Sequence, residues 1–247
     1  MSTDISVNYL GQPFGKKLPD WKSSKFPETK PIVGNSCRLE VLTHDHAFDL
    51  WSANCIDVEK KNWNYLPYGP FDDFVAYENW VKSIAGKSDP MYFAIVDLET
   101  EKPVGVSAYT FIAPEMGSIE IGQLNFSPLM QRSMKSTETI FLMIENAFLN
   151  GFRRVVWRSH SLNAASISAA NRFGFKFECF YKNYSVMKGR NRDNVWFSIV
   201  EEDWPALHEV YENWMKLALQ GNHQSLRKMI NQHSGKFDKS TFDVPQN

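Results

Sequence analysis

Cysteine is scarce in this chain, and its three cysteines lie far apart. Cys37, Cys55 and Cys179 are odd in number and have no zinc-ligand spacing, so neither a disulfide framework nor a structural zinc site is predicted. His44, His46 and His160 have no metal-ligand spacing with one another either, so no metal is expected. Cysteine usage of this kind is typical of a reducing compartment. We therefore expect a cytoplasmic protein, with the nucleus as an alternative.

An excess of charge and long apolar runs are also missing. The chain has 27 Lys and Arg against 28 Asp and Glu, a net charge of -1, which argues against nucleic-acid binding through a global basic field. No stretch approaches the length of a membrane span, and the first residues lack an apolar signal core. We therefore predict neither nucleic acid nor a membrane as a partner. With 247 residues, 43% of them hydrophobic, the chain can bury one sizeable core.

The chain divides into four parts by composition. Residues 1–36 are rich in Pro, Gly and Lys without periodicity and predict an extended arm. Residues 37–204 predict a single domain that mixes strands and helices. Residues 205–232 carry an apolar stripe and predict a C-terminal helix docked on that domain. The polar residues 233–247 predict a disordered tail. The oligomeric state is not determined by these patterns.

The order of predicted elements points to a mixed sheet. Residues 91–98, 103–112 and 118–126 read as an antiparallel meander. A helix follows over 139–148 and then a strand over 154–158, which implies a right-handed crossover and a parallel pair. A second crossover helix is predicted from Asn163 to Phe173. A strand then starts at Phe175, and residues 189–194 read as a hairpin turn.

The polar loop at 127–138 joins a strand to a helix and is the most informative segment. The first N–H groups of a helix have no partner within it, and with the helix dipole they make an anion site. Five polar residues sit where such an anion would lie: Gln131, Arg132, Lys135, Ser136 and Thr137. An ordinary capped helix start is the alternative.

These elements and two motifs resemble the GNAT superfamily of acetyl-CoA-dependent N-acetyltransferases, over roughly residues 37–204. Residues 131–136 match the family loop Gln/Arg-x-x-Gly-x-Gly/Ala, with Met134 at the usual glycine position. Asn163 and Ser166, followed by Gly174 and Phe175, match the second motif. The closest resemblance is to the branch that contains ribosomal-protein N-terminal acetyltransferases, including one uncharacterised microbial subgroup.

The resemblance implies a fold, a co-substrate and a set of site residues. The fold class is α/β (α+β): a mixed, mostly antiparallel twisted sheet of six to seven strands, with helices on both faces and a splayed central parallel pair. The co-substrate is acetyl-CoA, used without a metal. The residues implied to bind it are Leu124, Asn125, Phe126, Gln131, Arg132, Ser133, Met134, Lys135, Ser136, Thr137, Asn163 and Ser166. For Asn163, a plain helix cap is the alternative reading.

Acetylation of an amine needs a neutral nitrogen, a base or proton path, and an N–H donor for the developing oxyanion. Glu120 lies in an otherwise apolar strand and is the candidate base, acting through water; a solvated surface charge is the alternative. The backbone of residues 124–126 supplies the candidate N–H donor, and Asn163 is a second candidate catalytic residue. The family's usual acid, a tyrosine, is replaced here by Ala170, with Tyr181 and Tyr184 as substitutes.

Four aromatic residues are predicted to line the acceptor cleft, with core packing as the alternative: Trp63, Tyr65, Tyr68 and Phe71. Asp72, Asp73 and Glu78 would attract a cationic amine, with a solvated charged face as the alternative. The turn with Arg190 and Arg192 would contact either CoA phosphate or an acidic acceptor, with a plain hairpin tip as the alternative. The sequence thus predicts an N-acetyltransferase acting by direct attack of a neutral amine, from a small molecule or a protein N-terminus. The alternative, favoured by Met134 and Ala170, is a non-catalytic acyl-CoA-binding sensor or scaffold.

Overall fold

Ten strands and six helices make up the part of the chain that the computed structural model describes, residues 6–233. The strands are β1 (Ser6–Val7), β2 (Pro13–Phe14), β3 (Ile32–Val33), β4 (Cys37–Val41), β5 (Met91–Asp97), β6 (Lys102–Ala113), β7 (Ser118–Phe126), β8 (Arg154–His160), β9 (Lys176–Met187) and β10 (Arg190–Val200). The helices are α1 (Ala47–Asn54), α2 (Phe74–Ile84), α3 (Met134–Leu149), α4 (Ala164–Arg172), α5 (Trp204–Leu219) and α6 (Leu226–His233).

Eight of these strands form one sheet in the order β3-β4-β5-β6-β7-β8-β10-β9. Only β7 and β8 are parallel neighbours; every other adjacent pair is antiparallel. This confirms the predicted fold class, with one strand more than expected. The additional strand is β3, in the predicted arm, whose Ile32 and Val33 pair with Leu39 and Arg38. The arm also contains a small hairpin of β1 and β2.

The parallel pair splays apart after three residues. Ser118 to Glu120 pair with Arg154 to Val156, and beyond that point β7 and β8 run on without pairing to each other. A bulge in β7 accompanies the separation: Ala108 pairs with Gly122, but Val106 pairs with Asn125, so β7 carries one more residue than β6 between these pairs. Gln123 within the bulge has a positive φ of 54°. A bulge bends the strand that contains it, and the result is a V-shaped opening between β7 and β8.

The sheet carries one apolar cluster on each face, as the alternation of side chains requires. Tyr92 and Ala94 of β5 belong to a cluster with α1 and α2. Phe93 and Ile95 of the same strand belong to a larger cluster with α3, α5 and α6. Helices therefore lie on both faces. On the face of α1 and α2, however, these two helices pack against β5 and β6, on one side of the opening.

The two ends of the predicted domain differ from expectation. The large apolar side chains of the arm, Leu18, Trp21 and Phe26, do not anchor it, since they are 38–44% exposed. The arm is held instead by its backbone, where Lys25 donates its N–H to Asn150 O at 2.8 Å, and by the buried Ser24. At the other end, the single predicted helix over 205–232 is two helices, α5 and α6. They are separated at Gly221, whose φ of +77° ends a helix readily.

The predicted turn at 189–194 is also corrected. Only Lys188 and Gly189 form it, both with positive φ, and Met187 pairs with Arg190. This is the backbone that a two-residue hairpin loop favours. The predicted disordered tail lies outside the described residues, apart from His233 at the end of α6. Of the helices in the described part, none is both long and apolar enough to cross a membrane.

Candidate active site

Two helix N-termini flank the opening between β7 and β8. The chain leaves β7 at Phe126 and enters α3 at Met134; it leaves β8 at His160 and enters α4 at Ala164. The segment between α1 and α2 crosses between the two strand ends. Its Asn62 donates through Nδ2 to Phe126 O at 3.1 Å, and its Tyr65 hydroxyl donates to Leu162 O at 3.0 Å. The opening is thus bounded by two helix starts and one bridging loop.

The loop before α3 presents free backbone donors. The side chain of Ser133, the N-cap residue, accepts the N–H of Ser136. In the described part of the chain, the N–H groups of Arg132, Met134 and Lys135 have no acceptor. Three free amides at the positive end of a 16-residue helix form a place where an anion is stabilised.

The backbone of this loop shows whether Met134 can stand at the position where the family motif has glycine. The only residue of this loop with a positive φ is Arg132, at 56°, whereas Met134 is the first residue of α3. A glycine at position 134 is therefore not required by backbone conformation. The exposed residues Gln131 and Arg132 remain beside the free amides.

The three polar side chains that follow Met134 have hydrogen-bond or ion-pair partners within the protein. Lys135 Nζ is 2.7 Å from Asp97 Oδ2 of β5. Ser136 is buried and donates to Ser133 O, and Thr137 accepts from Arg172 of α4 at 3.0 Å. The prediction that these three side chains surround the anion is therefore corrected: Lys135 and Thr137 join α3 to β5 and α4, and Ser136 bonds to its own N-cap residue Ser133.

The start of α4 has a side-chain cap and a spare donor. Asn163 Oδ1 accepts the N–H of Ser166 at 3.1 Å, which is the capping role weighed from the sequence. Its Nδ2 has no partner among the described residues, so the same side chain retains a donor at the edge of the opening. Ser166 Oγ accepts from Trp157 Nε1 at 3.0 Å. That bond fixes Ser166 against β8.

The end of β7 places residues 124–126 along the opening. Leu124 and Phe126 are partly buried against the α3 side of the sheet. Phe126 O accepts from both Asn62 Nδ2 and Gln131 Nε2, the latter at 2.8 Å. Asn125 is 1% exposed, and neither polar atom of its side chain has a partner. The Asn125 side chain is therefore buried without a partner, and the Phe126 carbonyl is already engaged by two donors.

Glu120 is not a solvated surface charge. It is 8% exposed, and its Oε2 forms an ion pair with Arg158 Nε of β8. Burial raises the pKa of Glu120, while the guanidinium of Arg158 acts in the opposite direction. Arg158 also donates to the Tyr184 hydroxyl at 2.9 Å and lies over the Phe111 ring.

A second carboxylate provides a contrast on the same sheet. Glu178 of β9 forms an ion pair with Arg154, at the other end of β8. Burial raises the pKa of Glu178, but Arg154 and Ser198 outweigh it, and the net shift is downward. Of the two arginine-paired carboxylates, only Glu120 therefore has a raised pKa. It also lies where the parallel strands begin to separate.

The position of the family's usual acid is occupied by Ala170, in the last turn of α4. Ala170 is fully buried in the larger apolar cluster. Tyr181 and Tyr184 of β9 lie against Trp196 of β10, with ring centroids 5.3 and 6.3 Å away. Of these two tyrosines, the hydroxyl of Tyr184 is joined to Glu120 through Arg158.

The four aromatic residues predicted to line the acceptor cleft are divided between the core and the surface. Trp63 is 4% exposed and is a core residue, packed against Phe71 and Tyr68. The Tyr68 hydroxyl donates to Gln123 O at 3.3 Å, beside the bulge. Among the four aromatic residues, only Tyr65 lines a cavity at the opening. This corrects the assignment of Trp63, Tyr68 and Phe71 to that wall, because their rings fill the space between α2 and the sheet.

The acidic residues after Phe71 have other partners. Asp73 caps α2 by accepting the N–H of Ala76 at 2.8 Å. Glu78 pairs with His44 and Lys82, and Asp72 pairs with Lys60. These carboxylates are therefore neutralised locally, and the structure does not support their predicted role in attracting an amine.

Three site residues were missed from the sequence: Arg158, His160 and Asn62. A signal existed for Arg158, since it ends an apolar strand predicted to lie parallel to the strand of Glu120. His160 follows two residues later on the same strand. Asn62 had no such signal, because its contacts with Phe126 and Gln131 depend on the path of the loop.

A metal site is not evident in the described residues: among positions 6–233 there is no group of three His, Cys, Asp or Glu side chains suited to hold an ion. The expectation that no metal is used therefore continues to rest on the sequence.

Comparison with known proteins places the chain among solved structures, although no family model and no curated protein matches it. A GCN5-related N-acetyltransferase from Brucella melitensis is 33% identical, with a TM-score of 0.83, over 87% of this chain and 100% of its own. A probable acetyltransferase of the GNAT family from Chromobacterium violaceum is 35% identical, with a TM-score of 0.73, over 78% of this chain and 98% of its own. The microcin C7 self-immunity acetyltransferase MccE, solved in complex with acetyl-CoA and AMP, shares the fold at 17% identity and a TM-score of 0.59, over 68% of this chain and 93% of its own.

Proposed function

This chain belongs to the GCN5-related N-acetyltransferase family, and we propose that it transfers the acetyl group of acetyl-CoA directly to a neutral amine of a small molecule or a protein N-terminus. The observation that supports this most is the splayed pair of β7 and β8, flanked by the free amides at Arg132, Met134 and Lys135. A thioester with a diphosphate tail matches an opening that has an anion site at one edge. The acetyl-CoA bound to MccE is consistent with this choice of co-substrate.

The residues present are compatible with acetyl-CoA. The amides of the α3 start and the exposed side chain of Arg132 would hold the diphosphate, whereas the Gln131 side chain, predicted to contact it, donates instead to Asn62 Oδ1 and Phe126 O, both at 2.8 Å. The free Nδ2 of Asn163 would donate to the pantetheine arm, and residues 124–126 would pair with that arm as an added strand. Acetyl-CoA supplies an activated acetyl group as a thioester. Everything else in the reaction is the work of this chain's own side chains and amides.

Glu120 is the proposed base. Its raised pKa makes it a better proton acceptor than an ordinary surface carboxylate, while Arg158 holds it in place. It removes a proton from the attacking amine through water, as the new C–N bond forms and the C–S bond breaks. A backbone N–H of residues 124–126, at the bulge of β7, stabilises the negative charge that develops on the acetyl oxygen. The thiolate leaves as such and takes its proton from solvent.

A second candidate function is a non-catalytic acyl-CoA-binding protein. The specific observation in its favour is Ala170, which is buried in the core at the position of the usual family acid. Both functions need the same cofactor site, so acetyl-CoA binding does not distinguish them. Turnover does.

Calorimetric titration with acetyl-CoA tests the cofactor site. We expect micromolar binding that weakens about tenfold in Arg132→Gln, because a charged hydrogen-bond donor to phosphate is lost. Arg227→Gln is the matched control, since Arg227 is exposed on α6, at the C-terminal end of the domain. Absence of binding at millimolar acetyl-CoA would overturn both candidate functions.

Release of CoA thiol in the presence of a panel of amines tests the enzyme. We expect Glu120→Gln to lower kcat by about 100-fold or more while acetyl-CoA binds as before. Glu178→Gln removes the carboxylate that pairs with the other arginine of β8, Arg154, and should leave kcat within about twofold. Equal kcat in the wild type and Glu120→Gln would show that Glu120 is not the base. Tight acetyl-CoA binding without turnover on any amine would favour the sensor.

A further inference from the structure

A cavity of about 460 Å³ lies between the loop that precedes α2 and the β9–β10 hairpin. Tyr65, His160 and Leu162 line it from the side of the opening, and Lys188, Arg190 and Asn191 line it from the hairpin. This volume lies in the range of small-molecule sites. His160 follows Arg158 by two residues on β8, so the two residues are about 7 Å apart along the strand. The cavity therefore adjoins the Glu120–Arg158 pair.

The cations at this cavity have no carboxylate partner. Lys188 Nζ donates to the backbone O of Trp63 at 2.8 Å. Arg192, beside the cavity, donates to Asn194 Oδ1 at 2.7 Å and to Tyr65 O at 3.5 Å. Arg190 is exposed, and its side chain has no hydrogen bond or ion pair with any residue in the described ranges, although its backbone pairs with Met187. Lys188 and Arg190 thus line the cavity and Arg192 lies beside it, and none of the three side chains has an ion-pair partner within the described residues.

The neighbouring carboxylates do not neutralise them. Asp193 accepts the N–H of Asn183 at 2.6 Å and Asn191 Nδ2 at 3.0 Å, and Glu120 is paired with Arg158. Burial lowers the pKa of Arg192, with Arg158 adding to the effect, and burial also lowers the pKa of Lys188. For Arg192, the charge of Glu120 acts in the opposite direction and raises the pKa, without reversing the net lowering. A cation partly removed from water without an ion-pair partner is in an unfavourable environment.

His160 adds a neutral donor to this group. The N–H of Leu162 donates to His160 Nδ1 at 3.1 Å, so the neutral ring carries its proton on Nε2. Burial, and then Arg192, lower the pKa of His160, which keeps the ring neutral near pH 7. A neutral N–H donor beside three cations suits an oxygen anion and offers nothing to a cation.

We propose that this cavity binds the acceptor of the acetyl transfer, and that the acceptor is a small amine that also carries a carboxylate or phosphoryl group. The anionic group lies against Lys188, Arg190 and Arg192, and the amine points along β8 toward Glu120. This assignment rests on the proposed function, because it takes the amine to be the group that is acetylated. It selects an acidic acceptor over CoA phosphate as the ligand of the hairpin.

Matched pairs of amines test the proposal. One pair is an α-amino acid and its carboxamide, and the other is O-phosphoethanolamine and ethanolamine; CoA release is followed at saturating acetyl-CoA. We expect the anionic member of at least one pair to have a kcat/KM about tenfold or more above its neutral partner, and the pair that responds identifies the anion. Arg190→Gln, at an exposed residue without other contacts, should reduce that preference about tenfold, and Lys188→Gln should do likewise. Arg227→Gln should leave it unchanged.

Binding of acetyl-CoA, measured on the same variants, distinguishes a failure of the proposed function from a failure of the acceptor assignment. If the wild type does not bind acetyl-CoA, the proposed function itself fails. If acetyl-CoA binds but neutral amines are acetylated as well as anionic ones, or no member of either pair is acetylated, only the acceptor assignment is overturned. It is also overturned if Arg190→Gln weakens acetyl-CoA binding and leaves the preference intact, since the hairpin would then serve CoA phosphate.

Discussion

Replacing Glu138 by Gln should destabilise the protein strongly, although the two side chains have nearly the same shape. Glu138, in the second turn of α3, is 1% exposed and has no cationic partner among the described residues. Its Oε1 accepts from the N–H and side chain of Asn35, at 2.6 and 3.0 Å. Its Oε2 accepts from the N–H and hydroxyl of Ser36, at 2.7 and 2.5 Å, and from the N–H of Cys37 at 3.2 Å. This carboxylate joins α3 to the start of β4.

The magnitude follows from the donors that a glutamine leaves unpaired. Its NH₂ group would face at least two donors, on Asn35 or on Ser36, and at least one of them is a backbone N–H. A hydrogen bond to a charged group contributes about 1.5–3 kcal/mol, and a buried donor without an acceptor costs about 1–3 kcal/mol. Some relaxation of the Asn35 side chain offsets part of the loss. We expect Glu138→Gln to lower the free energy of unfolding by about 3 kcal/mol.

Urea unfolding followed by tryptophan fluorescence measures this difference, with an unchanged m-value as the check that both proteins unfold alike. Glu145→Gln is the control on the same helix: Glu145 is 30% exposed and pairs only with His208 in the described chain, so its loss should cost less than about 1 kcal/mol. A loss below about 1 kcal/mol in Glu138→Gln would refute the reasoning. It would mean that the segment at Asn35 and Ser36 finds other acceptors when the carboxylate is removed.

Three further predictions concern Asn163, His160 and Gly174. Asn163→Asp keeps the cap on Ser166 but removes the Nδ2 donor and adds a negative charge. The free energy of unfolding in urea should change by less than about 0.5 kcal/mol, while the calorimetric Kd for acetyl-CoA should rise about tenfold. Equal Kd values in the two proteins would mean that Asn163 acts only as a helix cap. Because the pKa of His160 is lowered below 6.5 in the folded protein, the neutral ring stabilises the fold above pH 6.5, and this stabilisation is lost as the pH falls through the lowered value. The free energy of unfolding in urea should therefore be lower at pH 5.5 than at pH 7.5, and His160→Asn should diminish the difference. Gly174→Ala places a Cβ 2.8 Å from Leu207 Cδ1 in a residue whose φ is +85°. Differential scanning calorimetry should therefore show an unfolding midpoint lowered by several degrees. An unchanged midpoint would mean that α5 shifts to accommodate the methyl group.

The fold could be predicted from local patterns because each pattern has a single structural solution. The short, nearly continuous apolar run over residues 91–98 indicated a buried strand, and the strand–helix–strand order from 118 to 158 indicated a parallel pair. The pattern failed where the signal was weak or short. Ile32–Val33 is two residues long and gains its strand conformation from its pairing with β4. The turn within 205–232 depends on Gly221 in an otherwise continuous amphipathic run.

The candidate site was predicted less well, and the errors have a common cause. The polar segment before the helix was identified correctly as a helix start, although α3 begins at Met134 and not at residue 139; its Ser133 cap and free amides follow from backbone rules. Which side chains remain available to a ligand was not predictable. Lys135 is engaged by Asp97 of β5, and Thr137 is engaged by Arg172 of α4. Both partners belong to elements distant in the chain.

By itself, then, the sequence determined the fold class, the family and the position of the loop that starts α3, since these depend on periodicity, helix termini and motif spacing within short segments. The tertiary structure decided the chemistry of the site. It paired Glu120 with Arg158 across the splayed strands, buried Trp63 in the core, and brought Lys188, Arg190 and Arg192 to one cavity beside His160. The physical reason is that the charge state and availability of a side chain depend on neighbours and on solvent exposure, and both are set by contacts between segments that are far apart in sequence.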